Sequence, residues 1–522
     1  MLSAVSNGFR LTRAAFVMAR EGVFATVDAS LAPPPARLPL RLARMIARRD
    51  TRNRAERISM ALMRLGPSYV KFGQFLATRP DIVGQDVARD LERLQDRLAP
   101  FPLAEAKAII TANLGQDCDQ IFAELSEPVA AASIAQVHKA VIAGSSGGQV
   151  MAVKVLRPGV EKRFRRDLGH FYFAARLADR FAPEAKRLRP VEIVDVLAQS
   201  VAIEMDLRLE AAALSEMAEN TKGDKGFRVP KPDWERTAKD VLTMQWIDGI
   251  SLHDQARIAA AGHDPVALGR NVIQSFLRHA MRDGFFHADM HQGNLMIDPE
   301  GNLVAVDFGI MGRLGLKERR FLAEILYGFI TRDYRRTAEV HFEAGYVPAR
   351  HSVEAFAQAI RAIGEPIHDR TADQISMAKL LTLLFEVTEI FDMQTRPELV
   401  LLQKTMVVVE GVARGLDPKL DMWKTAEPVV REWIEQHLGP AGMLAEAGGG
   451  VAALGRAAMK IPSLIERGER LVSELERTAG QGVTLSPQSI DAIGKAEARR
   501  ARWGNLALWA IAAILAAWWF AG

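Results

Sequence analysis

Two lobes, one rich in strands and one rich in helices, are what this sequence predicts: an α+β fold with an N-terminal helical extension ahead of the lobes and a C-terminal transmembrane helix behind them. Three observations carry the expectation. Strand-like apolar runs cluster at Ala135–Ile142, Met151–Leu156 and Val241–Trp246, the first two joined by a hairpin loop from Gly144 to Gly148. Helical patterning then dominates from Val266 to Ile434, interrupted only by short strand-like runs at Leu295–Ile297 and Leu303–Val306. Finally, the run from Trp503 to Gly522 contains no charged residue.

Each element follows from local chemistry. At 522 residues the chain is too long for one simple core, and 49% apolar with 25% charged residues is ordinary globular composition. Its single cysteine, Cys118, excludes an internal disulfide framework and any multi-cysteine metal site. Residues 1–54 form a basic N-terminal segment in which Arg10, Arg13, Arg20, Arg41, Arg44, Arg48 and others outnumber Glu21, Asp28 and Asp50. Such a segment fits anionic lipid, an organelle transit peptide, or a helical face packed on its own domain. Nucleic acid is disfavoured, since no basic platform interleaved with aromatics follows it.

Helical periodicity from Arg57 to Ala77, interrupted at Gly66-Pro67, opens a helical extension over 55–125. The small lobe is expected over 126–248 and the large lobe over 249–438, with a linker or stalk over 439–502. The span 503–522 is long enough to cross a bilayer, because about 20 residues rising ~1.5 Å each cover one hydrocarbon thickness. Trp503, Trp518 and Trp519 mark its two ends, and Lys495, Arg499, Arg500 and Arg502 precede it, as cytoplasmic flanking charges do.

The chemistry concentrates in the run His287-Ala288-Asp289-Met290-His291-Gln292-Gly293-Asn294, followed by Asp307-Phe308-Gly309. Asp289 and Asn294 have the D-x-x-x-x-N spacing of a kinase catalytic loop. An Asn and a second carboxylate, here Asp307, are what hold Mg2+ against the β- and γ-phosphates of ATP. The turn Asp298-Pro299-Glu300-Gly301 brings Asp307 back beside Asn294. Upstream, Met151-Ala152-Val153-Lys154 matches the strand whose lysine contacts phosphate and pairs with a helical glutamate. Glu204, Asp206 and Glu210, on an expected helix from Val191 to Ala218, are the candidates. The order of lobes and motifs is that of a two-lobed protein-kinase-like fold.

Two departures matter. Where a kinase carries a glycine-rich phosphate loop, this chain has Ala130-Ala131-Ala132-Ser133, and alanine forbids backbone conformations that glycine allows. No A-P-E follows Gly309, so an activation loop able to receive a peptide is missing or very short.

These departures, with Lys71-Phe72-Gly73-Gln74, Glu204-x-Asp206, and Leu242 to Gly249, resemble the UbiB family of atypical kinases over roughly residues 55–420. The resemblance implies membrane-bound support of ubiquinone biosynthesis, with ATP and Mg2+ as cofactors. Lys154, Glu210, Ala130 to Ser133 and Met244 would contact nucleotide, and Asn294 and Asp307 would hold the metal. Asp289, Lys154 and Lys71 would be catalytic, with Lys71 facing Glu204 and Gln74 beside it across the site where a kinase admits peptide. The implied partners are polyprenyl lipid precursors, the membrane, and other enzymes of the pathway, at a bacterial inner or equivalent organellar membrane. Family members are often labelled hydroxylases, but the sequence offers no flavin fingerprint and no oxygen-activating metal site. Gly448 to Ala453 spells G-x-G-x-x-A without a preceding strand.

Overall fold

The computed structural model describes residues 2–439, apart from 27–40, 49–51, most of 78–98, 145–147, 182–188, 369–382 and a few positions between 384 and 396. The expected linker and membrane span, 440 onward, lie outside the described residues. No helix among the described residues is long and apolar enough to cross a membrane.

The extension begins with α1 (Leu2–Arg20), then α2 (Arg54–Leu65) and α3 (Pro67–Ala77). A capping box closes the start of α2, with the Asn53 side chain accepting the Glu56 N–H and Glu56 answering the Asn53 N–H. Gly66, at φ 106°, ends α2 in a conformation only glycine adopts easily, and Pro67 restarts the chain as α3. The basic segment packs inward: Glu21 is fully buried and meets Arg64 at 2.9 Å, Arg52 at 3.1 Å and Arg48 at 3.6 Å. One buried carboxylate facing three guanidiniums explains part of the arginine excess as an internal tie. Tyr69 and Phe72 of α3 then grip Phe171 of α5 (Val160–Phe181), with ring centroids at 5.1 and 4.7 Å.

The small lobe is an antiparallel sheet of β1 (Phe122–Ala131), β2 (Ala135–Ile142), β3 (Val150–Leu156) and β5 (Val241–Gln245), in the order β1-β2-β3-β5. Its buried face holds Val153, Val155 and Val241, packed against Phe101 just before α4 (Leu103–Leu114), Ile110 within α4, and Cys118 and Ile121 in the short turn after it. The part of the 55–125 segment from Phe101 onward is therefore core of the small lobe, because strand apolar faces need a covering layer and α4 supplies it. The alanine run also differs from the expected loop. Ala130 and Ala131 pair with Val137 and Gln136 as the end of β1, which leaves only Ala132 to Ile134 as the turn. That turn is pinned by the Arg157 guanidinium, which donates to the Ala132 carbonyl at 2.9 and 3.0 Å.

α6 (Pro190–Glu204) and α7 (Leu207–Asn220) lead on to β4 (Phe227–Arg228), and β6 (Ile250–Ser251) follows the small-lobe sheet. The large lobe is built on α8 (Pro265–Arg278), which packs against α12 (Pro397–Leu416). Two small sheets carry the loops: β7 (Phe285–His287) with β10 (Met311–Arg313), and β4-β9-β8-β6 with β8 (Leu295–Ile297) and β9 (Leu303–Ala305). α9 (Leu316–Ile330), α10 (Tyr334–Glu343) and α11 (Val353–Gly364) complete the helical layer, and α13 (Met422–Leu438) bonds to it through the Trp433 N–H and the Met281 carbonyl at 2.9 Å.

Ile110 is wholly inaccessible beneath the sheet, so Ile110→Ala should cost about 2–5 kcal/mol of folding free energy. Urea denaturation of the full chain measures it, and a loss within ~0.5 kcal/mol would show that α4 is not part of that core.

Candidate active site

Lys154 sits centrally in β3, opposite Leu242 of β5, and both strands bury it. Its ammonium donates to Glu210 Oε1 and Oε2 at 2.8 and 3.0 Å and to Asp307 Oδ1 at 3.3 Å. Burial works against the lysine's charge, but the Asp307 and Glu210 carboxylates outweigh it and its pKa is raised. Burial also raises Asp307, yet the Lys154 charge, the Gly309 N–H and His287 overcome this and hold its pKa at about 2. Glu210 is pushed up by burial, because one ammonium is shared between two carboxylates. The Phe308 N–H also reaches Glu210 Oε1 at 3.4 Å, so the strand lysine, the helix glutamate and the Asp-Phe-Gly segment meet at one point.

The single helix expected over Val191–Ala218 is two, α6 and α7. Met205 ends the first, and Asp206 caps the second, its side chain accepting the Arg208 N–H at 3.2 Å. The cap turns Glu210 inward at the first turn of α7 while leaving Asp206 paired with Arg208 at 2.6 Å. Of the three acidic candidates, only Glu210 reaches Lys154. Glu204, at the end of α6, meets Lys71 of α3 at 2.5 Å. Gln74 follows Lys71 by one helical turn, on the same side of α3. The two charge clusters are thus joined through the short bend from Glu204 to Glu210.

The catalytic-loop residues are placed by backbone bonds. After β7, the Asp289 N–H donates to His287 Nδ1 at 3.0 Å, and Asn294 Nδ2 donates to the Asp289 carbonyl at 3.1 Å. The Val306 N–H donates to the Asn294 carbonyl at 3.1 Å, which brings Asp307 alongside as expected. Asp307 Oδ1 accepts both the Lys154 ammonium and the Gly309 N–H, the latter at 3.0 Å. Its Oδ2 and the Asn294 Oδ1 carry no bond among the described residues. Two oxygen atoms of hard-ligand type, on residues brought near each other by the Val306–Asn294 backbone bond, are therefore left for a cation, a donor set that suits Mg2+ sharing the phosphates of a nucleotide. Among the described residues there is no cluster of three or more acidic, His or Cys side chains that could hold a metal by itself.

Ser133 is buried in the β1–β2 turn, and Met244 is buried in β5, paired with Ala152 of β3. Sequence reasoning gave no role to Thr405. Its hydroxyl, on α12, donates to the Ala288 carbonyl at 3.0 Å in the buried interior and fixes the start of the catalytic loop. No spacing rule could have found a pair separated by more than a hundred residues.

Comparison with known proteins identifies the family of the chain. The model of the ABC1 atypical kinase-like domain matches residues 93–341, and that of the UbiB helical domain matches 360–421. The chain is 40% identical over 441 residues to a probable protein kinase UbiB of Marinobacter nauticus, covering 83% of this chain and 80% of that one. A namesake of Aeromonas hydrophila is 40% identical over 437 residues, covering 83% and 80%. Among solved structures, Rv3197 of Mycobacterium tuberculosis in complex with erythromycin aligns at TM-score 0.52 and 22% identity, covering 76% of this chain and 98% of that one. That likeness concerns the fold.

Removing Glu210 leaves a buried ammonium with Asp307 alone. Glu210→Ala should therefore cost about 3–5 kcal/mol in urea denaturation. By contrast Glu216→Ala, which breaks the exposed pair with Arg313 on the same helix, should stay below about 1 kcal/mol. Equal losses would mean that the ion triad has no special place in the fold.

Proposed function

This chain belongs to the UbiB family of atypical kinases, and from that premise we propose that it binds and hydrolyses ATP with Mg2+ in support of ubiquinone biosynthesis. The observation that carries the reading is the meeting of Lys154, Glu210 and Asp307 beside the Asp289–Asn294 loop. In this reading Lys154, held charged by its two carboxylates, contacts the α- and β-phosphates. Asn294 Oδ1 and Asp307 Oδ2 would hold the Mg2+ ion, which when bound supplies positive charge against the phosphate oxygens. Asp289 orients the attacking group and takes its proton. The end of β1 and the turn after it, Ala130 to Ser133, would cover the phosphates, and Met244 lies on the adenine side.

Water is the acceptor favoured here. After Gly309 the chain enters β10 at Met311, pairs with β7, and begins α9 at Leu316. Little length is left for a loop that could receive a peptide. Lys71, Gln74 and Glu204, on the helical extension, would complete the site on that side. We assign the released free energy to presenting polyprenyl precursors to other enzymes of the pathway. The uncharged run Trp503 to Gly522 would hold the chain at a bacterial inner membrane or its organellar equivalent.

The test is nucleotide-induced stabilisation with and without Mg2+. The parent chain at about 100-fold excess over Kd should gain roughly 2.7 kcal/mol, and Asp307→Asn should lose most of it. An unchanged gain in the folded mutant would remove the metal assignment. In cells, ubiquinone should be restored to a deletion strain by the parent chain and not by Lys154→Ala or Asp307→Asn expressed at equal level. Rescue by both mutants would show that the polypeptide serves the pathway without turnover.

A further inference from the structure

We propose that His291 is a positioning residue, whose Nε2–H directs the Asp289 carboxylate toward the group that attacks the terminal phosphate. The inference rests on the hydrolysis reading above and adds a residue to it. The backbone of Asp289 is fixed on both sides, since His287 accepts its N–H and Asn294 donates to its carbonyl. Its side chain is held differently. Among the described residues, the one polar partner of that carboxylate is His291, with Nε2 at 3.7 Å from Oδ2.

The tautomer of His291 follows from its other nitrogen. Nδ1 accepts the Gly293 N–H at 3.0 Å, so it bears no proton. The proton of the neutral ring is therefore on Nε2, the atom facing Asp289. At 3.7 Å the contact is longer than an ordinary hydrogen bond, and contacts of this kind tighten as a reacting complex forms. Once closed, the bond occupies Oδ2 and leaves Oδ1 to take a proton from the attacking group.

A second observation concerns Gly293. Its φ lies outside the left-handed region, so its backbone would accept a side chain. The space would not: a Cβ there would stand 2.9 Å from His291 Cε1 and 3.0 Å from Nδ1. A glycine at this place keeps the ring seated over its own turn, pointing Nε2 at Asp289. Both side chains remain open to solvent and substrate, with His291 51% and Asp289 31% exposed.

Two substitutions separate capping the turn from directing the carboxylate. In His291→Asn, the side-chain oxygen can still accept the Gly293 N–H, but nothing reaches Asp289. In His291→Gln, the amide N–H falls near the place of Nε2. With the full chain and MgATP, His291→Asn should leave KM within about twofold and lower kcat by roughly 10- to 100-fold. His291→Gln should recover most of that loss, and Gly293→Ala should resemble His291→Asn. Parent-like kcat in His291→Asn would overturn the proposal, as would equal losses in the Asn and Gln variants. If the parent itself releases no phosphate from ATP, the hydrolysis reading fails separately. The contact is then read from the 15N resonances of His291 at neutral pH. Asp289→Asn should move Nε2 and leave Nδ1 in place, and no movement of Nε2 would overturn the contact.

Discussion

Everything near the site depends on one buried ammonium. Lys154 lies between two sheet strands with both of its carboxylate partners drawn from elsewhere in the chain, Glu210 from α7 and Asp307 from the loop after β9. A lone ammonium at that depth would be too costly to keep charged. α7 and the Asp307 loop therefore each supply part of the charge that stabilises Lys154 within the sheet. The same contact then sets the order of the surroundings. Glu210 takes the Phe308 N–H, and the Phe308 ring lies 5.2 Å from His287, which in turn holds the backbone of Asp289. A charge pairing in the small lobe thus fixes a loop in the large one.

The catalytic loop owes its shape to side chains that cap its backbone. His287, His291, Asn294 and Thr405 each bond a main-chain group of the segment from Ala288 to Gly293. These bonds satisfy main-chain groups that no helix or strand pairing reaches. Thr405 extends this support to α12, and through it to α8, the central helix of the large lobe. The stretch matched by the UbiB helical domain therefore reaches the start of the Asp289–Asn294 loop through Thr405.

Rigidity also replaces what an ordinary kinase leaves mobile. Ala130 and Ala131 belong to a paired strand, and Arg157 ties the following turn, where glycines would have left the backbone free. On the other side of the site, β10 and α9 follow the Asp-Phe-Gly segment almost at once. Both changes leave little mobile backbone on either side of the site.

The sequence by itself determined the parts that depend on short-range order. The strands β2, β3, β5, β8 and β9, the Asp289–Asn294 loop and its hairpin return to Asp307 were legible, because alternation, turn residues and fixed spacings act within a few residues of one another, whereas β1 was not, its alanine end reading as a loop. Spacing alone offered Lys154 the carboxylates Glu204, Asp206 and Glu210 without ranking them, and only the family resemblance implied Glu210 for Lys154 and Glu204 for Lys71. The tertiary structure made that choice. A bend capped by Asp206 splits the expected helix, sending Glu204 to Lys71 and Glu210 to Lys154. The assignment of α4 to the small lobe, the convergence of three arginines on Glu21 and the bond from Thr405 were settled the same way. Each joins residues far apart in the chain, and the demand that a buried charge or polar group find a partner says nothing in advance about where in the sequence that partner will be.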